Sequence, residues 1–170
     1  MRYVASELEK RGVRVVTFDF PYKAEGRKMP DRGPVLEAAF AEEWARVAAS
    51  AEGPMYAGGK SMGGRIASQV AAKGGLSPMP AGLIFFGYPL HPPGKPDIRR
   101  DRHLPDITVP MLFLHGTRDP FGTRDEMREL IDELPTSTLT IVEGGDHSLM
   151  VGRHKPISGQ VLDSVRTWMK

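Results

Sequence analysis

The chain contains no cysteine. This excludes disulfides, a thiol nucleophile and cysteine metal sites, and it suits a reducing cytoplasm. Long apolar runs are also missing. The longest, Ala81-Gly82-Leu83-Ile84-Phe85-Phe86-Gly87, is strand-sized and falls short of the ~18 apolar residues of a membrane span. The N-terminal stretch Met1-Arg2-Tyr3-Val4-Ala5-Ser6-Glu7-Leu8-Glu9-Lys10 is too charged for a signal peptide. Dense basic tracts with interleaved aromatics are lacking, and the pI of about 9.0 reflects a formal net charge of only +2, so no nucleic-acid partner is expected. There are no repeats or low-complexity tracts. What remains is a 170-residue chain, 40% hydrophobic, expected to form one globular domain over residues 1–170 with a real core.

Within it, Gly59-Lys60-Ser61-Met62-Gly63 stands out as a G-x-S-x-G pattern. Pro54-Met55-Tyr56-Ala57 before it reads as a buried strand end, and Arg65-Ile66-Ala67-Ser68-Gln69-Val70-Ala71-Ala72 after it reads as a helix. A serine on such a turn is lifted above the sheet on strained backbone, and the glycines allow the close strand–helix approach that holds it there. Two other readings stay open. One is an ordinary turn without chemistry. The other is a phosphate-binding loop, G-x-x-x-x-G-K-[ST], which needs glycine where the chain has Pro54 and an open loop where it has Met55-Tyr56-Ala57.

The rest of the chain alternates helices and strands. Residues 2–11 read as a helix with Val4 and Leu8 on one face and Gly12 as its stop. Residues 13–18 read as a strand and residues 19–33 as a loop. Residues 34–50 form an amphipathic helix, with Pro34 in its first turn and Leu36, Phe40, Trp44, Val47 and Ala48 along one face. Residues 83–86, 111–115 and 139–142 read as strands. Thr123 and Glu126 form a capping box for a helix stopped by Pro135, and Ile157, Val161, Val165 and Trp168 mark a closing helix. Such alternation predicts an α/β fold with a mostly parallel sheet and helices on both faces. Sites in these folds gather at the carboxyl ends of strands, where Asp19, Ser61, Tyr88, Asp119 and His147 are all expected.

A serine hydroxyl needs a base within hydrogen-bond reach and a carboxylate to orient that base. There are five histidines. His147, in the loop Glu143-Gly144-Gly145-Asp146-His147-Ser148 after the last strand, is the best-placed base. His115 ends a strand and is expected in the core. His91, His103 and His154 lie in polar loops and are expected to be solvated, with His91 able to line the site. For the acid, Asp119 in His115-Gly116-Thr117-Arg118-Asp119-Pro120 follows the penultimate strand. Asp146 is the rival, but adjacent side chains on a turn diverge, so it reads as a loop-fixing residue. Tyr22 and Tyr88, on loops of the same rim, are candidate substrate-binding residues.

These motifs carry a resemblance. The glycine-flanked Ser61, the run over residues 109–119 ending in His115-Gly116-Thr117-Arg118-Asp119, and Gly145-Asp146-His147 resemble the α/β-hydrolase superfamily, in particular its small dienelactone-hydrolase-like members. The order Ser, Asp, His is that of the superfamily. The resemblance covers nearly the whole chain. It implies a serine hydrolase cleaving a carboxylic ester or thioester, with Ser61 as nucleophile, Asp119 as acid, His147 as base and the Met62 backbone N–H as one oxyanion donor. No metal or cofactor is implied. A non-catalytic member of the same fold acting in an assembly is the alternative.

The chain also departs from that pattern. It begins inside the helix that should follow the loop supplying the second oxyanion N–H. A strand is then missing between residues 13–18 and the strand leading to Ser61. Three outcomes are open: a start upstream of Met1, direct pairing of the two strands, or a homo-oligomer covering the gap. The interval between residues 86 and 111 is too short and too rich in proline for a lid domain, so an open site is expected. Arg99, Arg100 and Arg102 there read either as a solvated charge cluster or as a preference for acidic substrates.

Overall fold

The computed structural model describes residues 1–152 and 156–169. Its centre is a four-stranded, all-parallel sheet in the order β1 (Tyr56–Lys60), β2 (Gly82–Phe86), β3 (Met111–Gly116), β4 (Ser137–Val142). Gly58 stands opposite Ile84, Phe85 opposite Phe113, and His115 opposite Ile141. β2 and β3 are buried at every position. Covered on both faces, they read in the sequence as continuous apolar runs rather than as alternating ones.

Successive side chains of a strand point to opposite faces, and the core divides accordingly. Leu83, Phe85, Met111 and Phe113 meet Leu36, Phe40 and Trp44 of α3 (Gly33–Ala48), Ile66 and Val70 of α4 (Met62–Ala72), and Met127 and Leu130 of α5 (Arg124–Asp132). Ile84, Phe86, Leu112 and Leu114 meet Leu8 of α1 (Arg2–Glu9) and Leu162 and Val165 of α6 (Gly159–Trp168). The Leu36, Phe40, Trp44 stripe of α3 is the one its periodicity predicts. The expected box at α5 is present: Thr123 Oγ1 accepts the Glu126 N–H at 3.2 Å, and Glu126 Oε2 accepts the Thr123 N–H at 2.7 Å.

Residues 13–18 correct the sequence reading. They form no strand. Val13 and Val15 pack against one core and Phe18 against the other, where its ring lies edge-on to Phe20 (5.1 Å) and Phe40 (5.7 Å). The β-branched run thus finds apolar neighbours, but a strand also needs a hydrogen-bonded neighbour, and β1 does not supply one. Among the described residues β1 is one edge of the sheet and β4 the other. Loop 19–33 contains a short helix, α2 (Pro21–Ala24), started by Pro21. The loop from Tyr88 to Thr108 carries only the 3₁₀ turn Leu104–Asp106 and no lid.

Candidate active site

Ser61 is the hinge between β1 and α4. Its backbone has φ 51° and ψ −121°, a conformation a residue with a Cβ adopts only under strain. Two contacts hold it there. Its N–H donates to the Phe86 carbonyl at 3.3 Å, and its own carbonyl accepts the Arg65 N–H at 3.1 Å. A Cβ on Gly64 would lie 2.7 Å from the Gly59 carbonyl oxygen, so glycine is what lets α4 turn back so closely over β1. Met62 is the first residue of α4, and its N–H has no acceptor inside the helix.

Asp119 and His147 reach Ser61 because the loops after β3 and β4 are tied together. The Gly144 N–H donates to Thr117 Oγ1 (2.9 Å), the Arg118 N–H to the Gly145 carbonyl (2.8 Å), and Arg118 Nε to the Gly144 carbonyl (2.9 Å). The loops also lie tightly against the strand ends. A Cβ on Gly116 would be 2.3 Å from the Gly145 carbonyl oxygen, and one on Gly87 would be 2.5 Å from that of His147.

The resulting geometry is continuous. His147 Nε2 is 2.8 Å from Ser61 Oγ, and His147 Nδ1–H donates to Asp119 Oδ2 at 2.8 Å. The Asp119 carboxylate is fully buried, and its Oδ1 accepts the Phe121 N–H at 2.9 Å. With the Nδ1 proton committed to a carboxylate, Nε2 presents a lone pair to the serine hydroxyl. The Phe121 ring stacks on the His147 imidazole, centroids 4.1 Å apart. Such an arrangement can withdraw the serine proton as its oxygen attacks, and can stabilise the imidazolium that forms.

His115 lies beneath this site in the core, as its place at a strand end suggests. Its Nε2–H donates to the Gly122 carbonyl at 2.8 Å, and its Nδ1 is 3.7 Å from Asp119 Oδ2. Burial pushes its pKa down. Asp146 fixes its own loop: Oδ1 accepts the Ser148 N–H (2.7 Å) and the Met150 N–H (3.0 Å), as the sequence reading holds.

Other candidates are placed differently. Tyr88 is 1% exposed and its hydroxyl donates to the Arg100 carbonyl (2.8 Å), so it is a core residue rather than an open wall. Tyr22 packs on the core edge, with its N–H on Asp31 Oδ2 (3.0 Å). Asp19 pairs with Lys23 at 2.8 Å on the surface. His91 is not solvated: it is 6% exposed and bonds the Pro92 carbonyl and Glu126 Oε2. His103 is half-buried against Ser68. His154 lies outside the described residues. The three arginines do not form one cluster. Arg99 pairs with Asp101, Arg102 is exposed, and Arg100 is half-buried.

Sequence reasoning missed Phe121, Gly87 and Thr117. Asp119-Pro120-Phe121 carried a signal, since an aspartate before proline tends to accept the N–H two residues on. The stacking of Phe121 on a ring 26 residues away left no local trace. Nor did the part Gly87 plays in seating the His147 loop.

A serine on a strand–helix turn, with a carboxylate and a histidine on the loops after two later parallel strands, defines the α/β-hydrolase class. The family model described as "Alpha/beta hydrolase domain" matches residues 1–166, and the chain belongs to that family. It is a hydrolase of the α/β class. Similar solved structures include an esterase from Pyrococcus furiosus, with a TM-score of 0.75, 16% identity, and coverage of 100% of this chain and 75% of that one. An alpha-beta serine hydrolase homologue from Coxiella burnetii gives 0.70 at 16% identity, covering 99% and 73%. The esterase domain of a Rhodothermus marinus protein gives 0.67 at 18%, covering 98% and 77%. At such identities these structures share the fold. Among the described residues no helix is long and apolar enough to cross a membrane, and no group of three or more acidic, histidine or cysteine side chains is placed to hold a metal ion.

Proposed function

We propose that this protein is a serine hydrolase of a small-molecule carboxylic ester or thioester, of the dienelactone-hydrolase-like kind. The observation that carries the reading is the unbroken line from Ser61 Oγ to His147 to Asp119, with both links at 2.8 Å, on a serine held at φ 51°. Ser61 Oγ adds to the carbonyl carbon as its proton passes to His147 Nε2. Asp119 Oδ2 holds the Nδ1 proton and balances the imidazolium. The Met62 N–H donates to the oxyanion. His147 then gives the proton to the departing alcohol or thiol. Water, deprotonated by the same nitrogen, cleaves the acyl-serine and restores Ser61.

The test is labelling by a fluorophosphonate, which phosphonylates an activated serine. One adduct on Ser61 is expected, and none in Ser61→Ala. Labelling that survives Ser61→Ala removes Ser61 as nucleophile. A folded chain that takes no label at all supports the non-catalytic alternative.

A further inference from the structure

Lys60, between Gly59 and the nucleophile, takes no part in the steps above. Its side chain leaves β1 on the same face as that of Tyr56, which packs on the core shared by α1 and α6. Leu149, in the loop of the base, is buried in that same core. The two segments meet there, and Lys60 Nζ donates to Ser148 Oγ at 2.6 Å. Lys10, Lys23 and Lys73 each pair with a carboxylate, whereas among the described residues Lys60 has none. Its ammonium is instead committed to a neutral hydroxyl. Such a charge-assisted bond is stronger than one between two neutral groups.

Sequence position gives this bond its use. Lys60 precedes the nucleophile and Ser148 follows the base, so the bond runs beside the one between Ser61 and His147. Among the described residues, these two are the hydrogen bonds that join the turn at residues 59–63 to the loop at residues 143–151. The other contacts hold that loop elsewhere. Thr117 and Arg118 bond Gly144 and Gly145, ahead of His147. Asp146 bonds the Ser148 and Met150 N–H groups within the loop itself. Leu149, at φ 60°, anchors the loop to the core below it. None of these is a bond to the turn that carries Ser61.

One of the two bonds is lost in every turnover. Once Ser61 is acylated, its Oγ carries no proton, and a neutral His147 with its proton on Nδ1 has none on Nε2 to offer. The bond from Lys60 to Ser148 then joins turn and loop by itself. In that state His147 Nε2 takes a proton from water as the water oxygen adds to the acyl carbon. It returns the proton to Ser61 Oγ as the bond from that oxygen to the acyl carbon breaks and the acid leaves. We propose that Lys60 is a positioning residue: by holding Ser148 it keeps His147 in register over the acylated Ser61, and so serves deacylation more than acylation. This rests on the serine-hydrolase reading above.

Stopped-flow kinetics with 4-nitrophenyl acetate separates the two halves, since kcat/KM reports acylation and a burst of 4-nitrophenolate reports accumulated acyl-enzyme. Lys60→Met keeps an unbranched side chain and loses the donor. In it kcat and KM should fall together by about tenfold, with kcat/KM within about twofold of the wild type and a burst that matches the enzyme present. Ser148→Ala should do the same, and the double variant should be no worse than either single one. Lys60→Arg keeps a charged donor and should restore part of kcat. Equal losses in kcat and kcat/KM, or no loss in either, overturn the proposal. So does an effect of Lys60→Met that Ser148→Ala lacks, because the lysine would then act by its charge and not by this bond.

A second arm needs no turnover. Hydrogen exchange at residues 143–151 is read by mass spectrometry, with circular dichroism showing that each variant is folded. Ser61→Ala lacks the bond to His147 from the start. Adding Lys60→Met to it should speed exchange in the loop by about tenfold or more, against a much smaller change when Lys60→Met is made alone. Exchange in the double variant no faster than in Ser61→Ala overturns the proposal. If the wild type cleaves no ester, the hydrolase reading fails by itself, and the bridge between turn and loop stands or falls on this arm.

Discussion

Phe121 covers one face of the His147 imidazole, with ring planes 29° apart, while its own backbone N–H holds Asp119 Oδ1 at 2.9 Å. One residue therefore orients both the imidazole and the carboxylate. The amide contact survives substitution of the side chain, but the stack does not. Aromatic pairs of this kind contribute about 0.5–1.5 kcal/mol. Phe121→Ala should lower kcat by about threefold to tenfold with the triad hydrogen bonds still possible. Steady-state kinetics on a neutral ester checks this, and a loss no larger than that of a surface substitution would show that the stack does not position the ring.

Strain at Ser61 should be visible as stability. Positive-φ residues other than glycine store about 1–3 kcal/mol, of which glycine's extra chain entropy returns up to about 1. Ser61→Gly should thus be more stable than Ser61→Ala by about 1 kcal/mol, since alanine removes the hydroxyl and keeps the strain. Urea denaturation midpoints of the two variants decide the matter.

Asp119 and Asp146 can be told apart by amide substitution. Asp119→Asn removes the acceptor that sets the His147 tautomer, and a loss of about 10⁴ in kcat is expected. Asp146→Asn keeps an oxygen for the Ser148 and Met150 N–H groups, so it should cost no more than about tenfold. The reverse order in an esterase assay would reassign the acid.

Gly116 tests the seating of the His147 loop. A methyl there would meet the Gly145 carbonyl oxygen at 2.3 Å, a backbone atom that yields only if the loop moves. A displacement near 1 Å at a catalytic group costs on the order of 10²-fold. Gly116→Ala is expected to lose that much kcat while its circular dichroism spectrum stays native.

His103 and His115 make the fold sensitive to acid. Burial lowers both below the ordinary histidine value of about 6.5, and for His103 the Arg65 charge adds to this. The unfolded chain then takes up its protons before the folded one does. Stability from these groups is complete above about pH 6.5 and is lost as pH falls from there through their lower folded values. Thermal midpoints should decline across that window, and His103→Gln should flatten the decline.

Much of this was legible locally. A capping box needs two side chains three residues apart, so Thr123 and Glu126 announced α5. Helical period placed Leu36, Phe40 and Trp44 on one face, and the glycines around Ser61 marked a turn that a close strand–helix approach fits. Because loops after successive parallel strands emerge on one rim, chain order alone brought Ser61, Asp119 and His147 within range of one another. What the sequence could not decide depends on neighbours far along the chain. Residues 13–18 have the β-branched composition of a strand, yet a strand exists only where a partner offers a hydrogen-bonding edge, and β1 offers them none. Tyr88 and His91 sit in a polar, proline-rich loop and are nevertheless buried, where the Arg100 carbonyl further along the same loop and the Glu126 carboxylate of α5 bond them. The stacking of Phe121 on His147, and the bond between His103 and Ser68 that ties the loop after β2 to α4, were decided by the tertiary structure alone. Local propensity carries no information about which distant group will fill a given space, and packing does.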